Sequence, residues 1–88
     1  MKVQFRSGFE KDLALTQDKK LAQTILECIQ IFENAERLSE IQNIKKIKGH
    51  STAFRYRKGM YRIGFYYDKG IVTFAAFAPR DKIYTRFP

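Results

Sequence analysis

Two blocks of alternating residues around a glycine turn constrain this chain more than anything else in it. Phe54-Arg55-Tyr56-Arg57 alternates aromatic and basic side chains, Lys58-Gly59 supplies a two-residue turn, and Met60-Tyr61-Arg62-Ile63-Gly64-Phe65 alternates again, which predicts a β-hairpin. A Lys58-Gly59 loop sets the register: Arg57 faces Met60, Tyr56 faces Tyr61 and Arg55 faces Arg62. Side chains alternate faces along a strand, so Tyr56, Tyr61, Ile63 and Phe65 share one side and Arg55, Arg57 and Arg62 the other. Like charges opposed across two strands are destabilising, so such a face is either solvated or made for an anion. Guanidinium forks match phosphate oxygens, which inclines the choice towards phosphate.

The remainder supplies a support for that hairpin. Lys2 to Arg6 alternates, with Val3 and Phe5 on one side, and predicts a short strand. Ser7-Gly8-Phe9-Glu10 has the spacing of a capping box, so a helix is expected to start there with Phe9, Leu13 and Leu15 as its apolar side. Asp18 is a suitable cap for a second helix through Lys19 to about Asn34, in which Leu21, Ile25, Cys28, Ile29 and Phe32 recur at three- and four-residue steps. From Ala35 to Thr52 the pattern loosens. Leu38, Ile41, Ile44 and Ile47 anchor a turn of helix and an irregular segment, while Lys45, Lys46 and Lys48 crowd the approach to the arginines, as a solvated run or a rim that guides phosphate. Asp68-Lys69-Gly70 signals a turn, and the nearly continuous apolar run from Ile71 to Ala78 is expected to be a strand covered on both faces or central in its sheet, stopped by Pro79. Arg80 then lies at the end of that strand. The expected fold is α+β: an N-terminal strand, a two-helix hairpin on one face, and a mostly antiparallel four-stranded sheet.

With 88 residues, 44% of them hydrophobic, residues 1–88 are expected to form a single domain around one modest core. Seventeen Lys and Arg against nine Asp and Glu give a formal charge of +8, which favours nucleic acid, an anionic surface or an acidic protein as partner. The first residues lack the apolar core of a signal peptide, and no stretch approaches the roughly 20 apolar residues of a membrane span. A soluble cytoplasmic protein with no membrane partner is expected. Cys28 is alone and falls on an apolar helical stripe, so it is expected to be a buried, inert thiol. The sequence holds a single histidine, His50, no metal-ligand spacing and no glycine-rich phosphate loop. No metal or other cofactor is expected.

Four blocks taken together resemble a known group. Leu38-Ser39-Glu40-Ile41, Ile44-Lys45-Lys46-Ile47-Lys48-Gly49, Phe54 through Ile63, and Pro79-Arg80-Asp81-Lys82-Ile83-Tyr84 are similar in order and spacing to the RelE/ParE superfamily of toxin-antitoxin toxins, closest to the RelE-type mRNA interferases. The resemblance implies a βααβββ fold and a metal-independent endoribonuclease that cuts translated mRNA on the ribosome, neutralised by an acidic antitoxin. Operator DNA would be met only through that antitoxin. It also implies catalytic roles for Arg62, Arg80 and Tyr84, with phosphate and transition-state binding by the two arginines and base stacking or proton donation by Tyr84. Arg55, Arg57, Lys45, Lys46 and Lys48 would bind the RNA backbone.

Two departures from the family pattern leave the general base open. Arg55 and Arg57 stand where RelE-type enzymes can carry lysine, and a guanidinium with a pKa above about 12 is a poor base. Pro79 stands where many relatives have histidine. Lys48 and His50 are the remaining candidates. Two other readings stay open: a ParE-like inhibitor of DNA gyrase, which needs no arginine constellation, and a non-catalytic RNA-binding member of the fold.

Overall fold

The computed structural model describes all residues from Met1 to Pro88. The elements run β1 (Lys2–Phe5), α1 (Ser7–Leu15), α2 (Lys19–Asn34), a 3-10 turn at Leu38–Glu40, β2 (Ile44–Lys46), β3 (Ala53–Lys58), β4 (Tyr61–Asp68), β5 (Ile71–Pro79) and a second 3-10 turn at Ile83–Thr85. The strands form one sheet in the order β1-β5-β4-β3-β2. All neighbours are antiparallel except β1 and β5, which are parallel. This is the expected α+β arrangement with a fifth strand. Ile44–Lys46, expected to be irregular, pairs with Phe54, Arg55 and Tyr56 of β3. Three residues are too short to show a period, and only the partner strand makes them a strand.

The helices cover one face of the sheet. Asp18 caps α2 as expected, its Oδ1 accepting from the Leu21 N–H at 3.0 Å. One stripe of the helix, Ile25, Cys28, Ile29 and Phe32, is buried, and Lys19, Lys20, Gln23, Glu27 and Gln30 are exposed. The capping box at the start of α1 does not form. Arg6 takes the cap position, with no side-chain cap, because its N–H still donates to Phe74 O at 2.9 Å and extends the β1–β5 ladder to the edge of the helix. Ser7 is thereby already helical. Phe9 is buried and Leu13 half-buried, while Leu15, the last residue of the helix, is 66% exposed.

Aromatic rings fill the space between helices and sheet. Phe32 meets Phe65, Phe74 and Tyr56 edge-on at centroid distances of 5.0, 5.2 and 5.3 Å, and Phe9 packs on Phe74 and Phe77 at 5.6 and 5.4 Å. Truncating a fully buried ring such as Phe32 costs about 3–5 kcal/mol. The sheet surface beneath the helices is therefore filled, and the opposite face is the one left open.

A bulge in β5 prepares that other face. Gly64 pairs with Ala76 but Phe65 pairs with Phe74, so Ala75 is an extra residue that shifts the alternation by one. Val72, Phe74 and Phe77 can then all reach the helix side, while Ala76 and Ala78 point the opposite way. Those small residues, with Ala53, form a shallow bed on which Ile83 and Phe87 lie as a second apolar cluster. The apolar run of β5 is thus covered on both faces, as its composition predicts. Phe87, next to the last residue of the chain, is only 3% exposed because this bed receives it.

Candidate phosphate-binding cleft

The hairpin that carries the arginines has a different register from the expected one. Lys58 pairs with Tyr61, so the loop is Gly59-Met60 and not Lys58-Gly59. Gly59 takes the first central position at φ 58°, a conformation glycine adopts without steric cost, and Met60 is left exposed at the tip. Arg57 consequently lies opposite Arg62, Tyr56 opposite Ile63, and Arg55 opposite Gly64. Partners move by two positions along β4, which preserves the face of every side chain. Arg55, Arg57 and Arg62 remain together on the side away from the helices.

Those three arginines, with Asn43, Ile44, Lys45 and Tyr84, line a cleft of about 330 Å³. A second depression of about 340 Å³ adjoins it, lined by Lys45, Lys46, Ile47, Lys48, Arg55 and Tyr84. Lys45, Arg55 and Tyr84 belong to both, so the two form one groove with the Arg55–Tyr84 pair between its halves.

Each guanidinium rests on a neutral group. Arg57 Nη2 donates to Asn43 Oδ1 at 3.0 Å, and Arg62 Nη1 donates to the Gly59 and Tyr61 carbonyls at 2.9 Å each. The Arg55 guanidinium carbon stands 4.3 Å from the centre of the Tyr84 ring, a cation–π stack, and its Nε is buried with no acceptor. No carboxylate enters the cleft. The sole ion pair in the fold, Arg37 with Glu40 at 3.8 Å, is exposed and lies elsewhere. Lys45 directly opposes Arg55 across β2 and β3, as Arg57 opposes Arg62 across β3 and β4. Four cations on rigid strands are left uncompensated, with N–H donors to spare, an arrangement suited to a phosphate chain.

Of the residues expected at the site, Arg55, Arg57, Arg62, Lys45 and Tyr84 come together, and Lys46 and Lys48 line the adjoining depression. Tyr84 directly follows Ile83, which is buried on the alanine bed. Arg80 does not line the cleft. Its backbone N–H donates to Met60 O at 2.9 Å, at the same turn that holds Arg62, and its side chain is exposed. His50 lines neither depression; it is exposed in the turn after β2, where its N–H donates to Ile47 O at 3.2 Å. Cys28 is fully buried beside Tyr56 on the helix face, and burial pushes both the thiol and the phenol above their ordinary pKa values, which keeps the thiol protonated and inert. No three His, Cys, Asp or Glu side chains gather anywhere in the fold.

Asn43 is the site residue that sequence reasoning missed. It holds Arg57 twice, through its side chain and by accepting the Arg57 N–H on its carbonyl at 3.0 Å, and its φ of 67° is left-handed. Asparagine tolerates that region better than most residues, so an Asn between two apolar anchors was the available signal.

No protein-family model matches the sequence. The chain is 36% identical, over its full length and that of its relative, to Toxin RelE3 of Methanocaldococcus jannaschii. Its fold is similar to a chain of the RelB-RelE antitoxin-toxin complex from Methanococcus jannaschii, with a TM-score of 0.76 and 32% identity over 97% of this chain and 99% of that one. It is also similar in fold to a chain of the archaeal RelE-RelB complex from Pyrococcus horikoshii, with a TM-score of 0.68 and 22% identity over 90% and 93% of the two chains.

Proposed function

As the chain belongs to the RelE family of toxins, we propose that it is the toxin of a toxin-antitoxin pair and that it cuts mRNA on translating ribosomes. The observation that carries this reading is the carboxylate-free cleft of Arg55, Arg57 and Arg62 beside an exposed Tyr84. Cleavage proceeds by attack of a ribose 2′-oxygen on the adjacent phosphorus. The bond to the 5′-oxygen breaks, leaving a 2′,3′-cyclic phosphate and a 5′-hydroxyl. Negative charge accumulates on the phosphorane oxygens during this step, and fixed guanidinium donors stabilise it there. Arg62 and Arg57 contact the scissile phosphate, and Arg55 a neighbouring one. Lys45, Lys46 and Lys48 follow the backbone through the adjoining depression, and Arg80 meets the strand beyond the hairpin turn. Tyr84 stacks on a base or gives its phenolic proton to the departing 5′-oxygen.

The groove lining holds neither imidazole nor carboxylate, so the 2′-hydroxyl proton passes to water, with Lys48 of the adjoining depression the one base candidate left on the chain. Rate then depends on how well the RNA is held for in-line attack, and a codon fixed on the ribosome supplies that orientation. The same gap favours one other reading, RNA binding without cleavage. The partner that silences the toxin is an acidic antitoxin protein, attracted by the charge of +8. Its helix has an apolar landing place between α1 and α2, where Phe5 and Leu26 are exposed beside Phe9, Leu13 and Ile29.

The reading is tested by adding the purified chain to a translating extract and identifying the ends of the message fragments. Fragments with 5′-hydroxyl and cyclic-phosphate ends, formed only from translated message, are expected. Intact message bound with steep salt dependence would leave the non-catalytic reading, and arrest of gyrase with intact message the gyrase reading.

A further inference from the structure

Tyr84 is 65% exposed, and its side chain makes no hydrogen bond; what it touches in the cleft is Arg55. Something else must hold it there. After β5 ends at Pro79, the chain makes a tight turn in which Lys82 N donates to Pro79 O, Thr85 N to Lys82 O, and Phe87 N to Ile83 O at 2.9, 3.1 and 2.9 Å. Tyr84 thus rides on a short rigid arch between two buried feet, Ile83 and Phe87. The Phe87 foot is specific. It stands over Gly64 so closely that a Cβ there would overlap its Cγ and Cδ2 and lie 2.9 Å from its Cβ. Gly64 has no left-handed φ and needs to be glycine only for this close approach. Gly64 is also the residue directly opposite Arg55 across β3 and β4. Phe87 also packs on Tyr66, with 5.0 Å between ring centroids and the planes at 64°.

We propose that Phe87, seated in the side-chain-free notch at Gly64, is the positioning residue that sets Tyr84 over Arg55. The notch and the stack share one strand pair: Gly64 seats the Phe87 foot, and Arg55, directly opposite it, meets Tyr84 on the arch. Loss of the Phe87 foot leaves Tyr84 attached at Ile83 alone, free to swing into solvent, while the helix-face core, which shares no residue with this seat, stays intact. The catalytic part of this inference rests on the RNA-cleavage reading, whereas the positional part does not.

The test combines NMR with kinetics on the full chain. Arg55 side-chain protons lie over the Tyr84 ring and are shifted upfield, and Tyr84→Leu identifies that shift by removing it. Phe87→Ala and Gly64→Ala are expected to remove it too, with the methyl resonances of Ile25, Ile29 and Val72 unmoved. On translating ribosomes both variants lower kcat on the order of 10²-fold with little change in KM, and neither adds to the loss caused by Tyr84→Ala. Phe87→Leu, which keeps an apolar foot and remains folded, gives an intermediate shift and an intermediate kcat. Survival of the full shift in Phe87→Leu and in a folded Phe87→Ala, or a kcat loss that multiplies with that of Tyr84→Ala, overturns the proposal. Should the wild-type chain cut no message, the shift alone decides the positional claim.

Discussion

Arg57 lies directly opposite Arg62 across β3 and β4, and neither has a carboxylate partner. Directly opposed like charges destabilise a strand pair, here by an amount comparable to the roughly 0.2–1 kcal/mol that a favourable cross-strand pair contributes. Removing one charge while keeping a donor for Asn43, as in Arg57→Gln, is therefore expected to stabilise the fold by that amount, read as a higher urea midpoint. The same substitution weakens RNA binding and lowers the salt slope by about 0.7, the value for one phosphate of a single strand. A midpoint that falls, with binding unchanged, would mean that the pair is structural.

The arginines are not equivalent. Arg62 lines the cleft and Arg80 does not, so Arg62→Ala is expected to reduce cleavage on the order of 10²-fold or more and Arg80→Ala by a smaller factor. Single-turnover rates on ribosomes with one defined codon in place measure both. Equal losses would show that the RNA reaches past the hairpin turn during the chemical step.

The order of helices and strands is legible in the sequence where period and punctuation agree. Helix α2 has a strong apolar stripe and Asp18 at its start, and its limits match the expectation. Other features depend on contacts between distant residues. The hairpin register turns on whether Gly59 takes the first or second loop position, which alternation alone does not decide. Ser7 loses its capping role because β5 holds Arg6. Strand β2 exists only through its pairing with β3. The face of the arginines follows from alternation, but the return of Tyr84 depends on Gly64 accepting Phe87, and neither residue suggests the other locally.

The Cys28–Tyr56 pair makes stability depend on alkaline pH. Burial raises both groups above their ordinary values of 9.0 and 10.0. Between the unfolded and folded pKa values the native state binds more protons than the unfolded chain, so stability falls as pH rises there. Denaturation midpoints are expected to hold through neutral pH and decline beyond pH 9.0. Cys28→Ala loses a pH-independent increment for its cavity but shows a shallower start to that decline. An unchanged alkaline profile in this variant would remove Cys28 as a source.

Lys69 has φ 51° in the β4–β5 turn, next to Gly70 at φ 79°. A lysine in the left-handed region costs about 1 kcal/mol, and asparagine is more tolerant of it. Lys69→Asn is expected to stabilise the fold by up to that amount without altering cleavage, as read from a thermal melt and the ribosome assay together.

Whether the arginine cleft cuts RNA can be read from mRNA 5′ ends mapped by primer extension in a translating extract. Wild-type chain, Arg62→Ala and Tyr84→Phe would be compared on the same message, with and without translation. New ends confined to translated message, absent with Arg62→Ala and reduced with Tyr84→Phe, are the predicted result. An uncut message with wild-type chain, or wild-type cutting by Arg62→Ala, would show that these arginines do not cleave RNA.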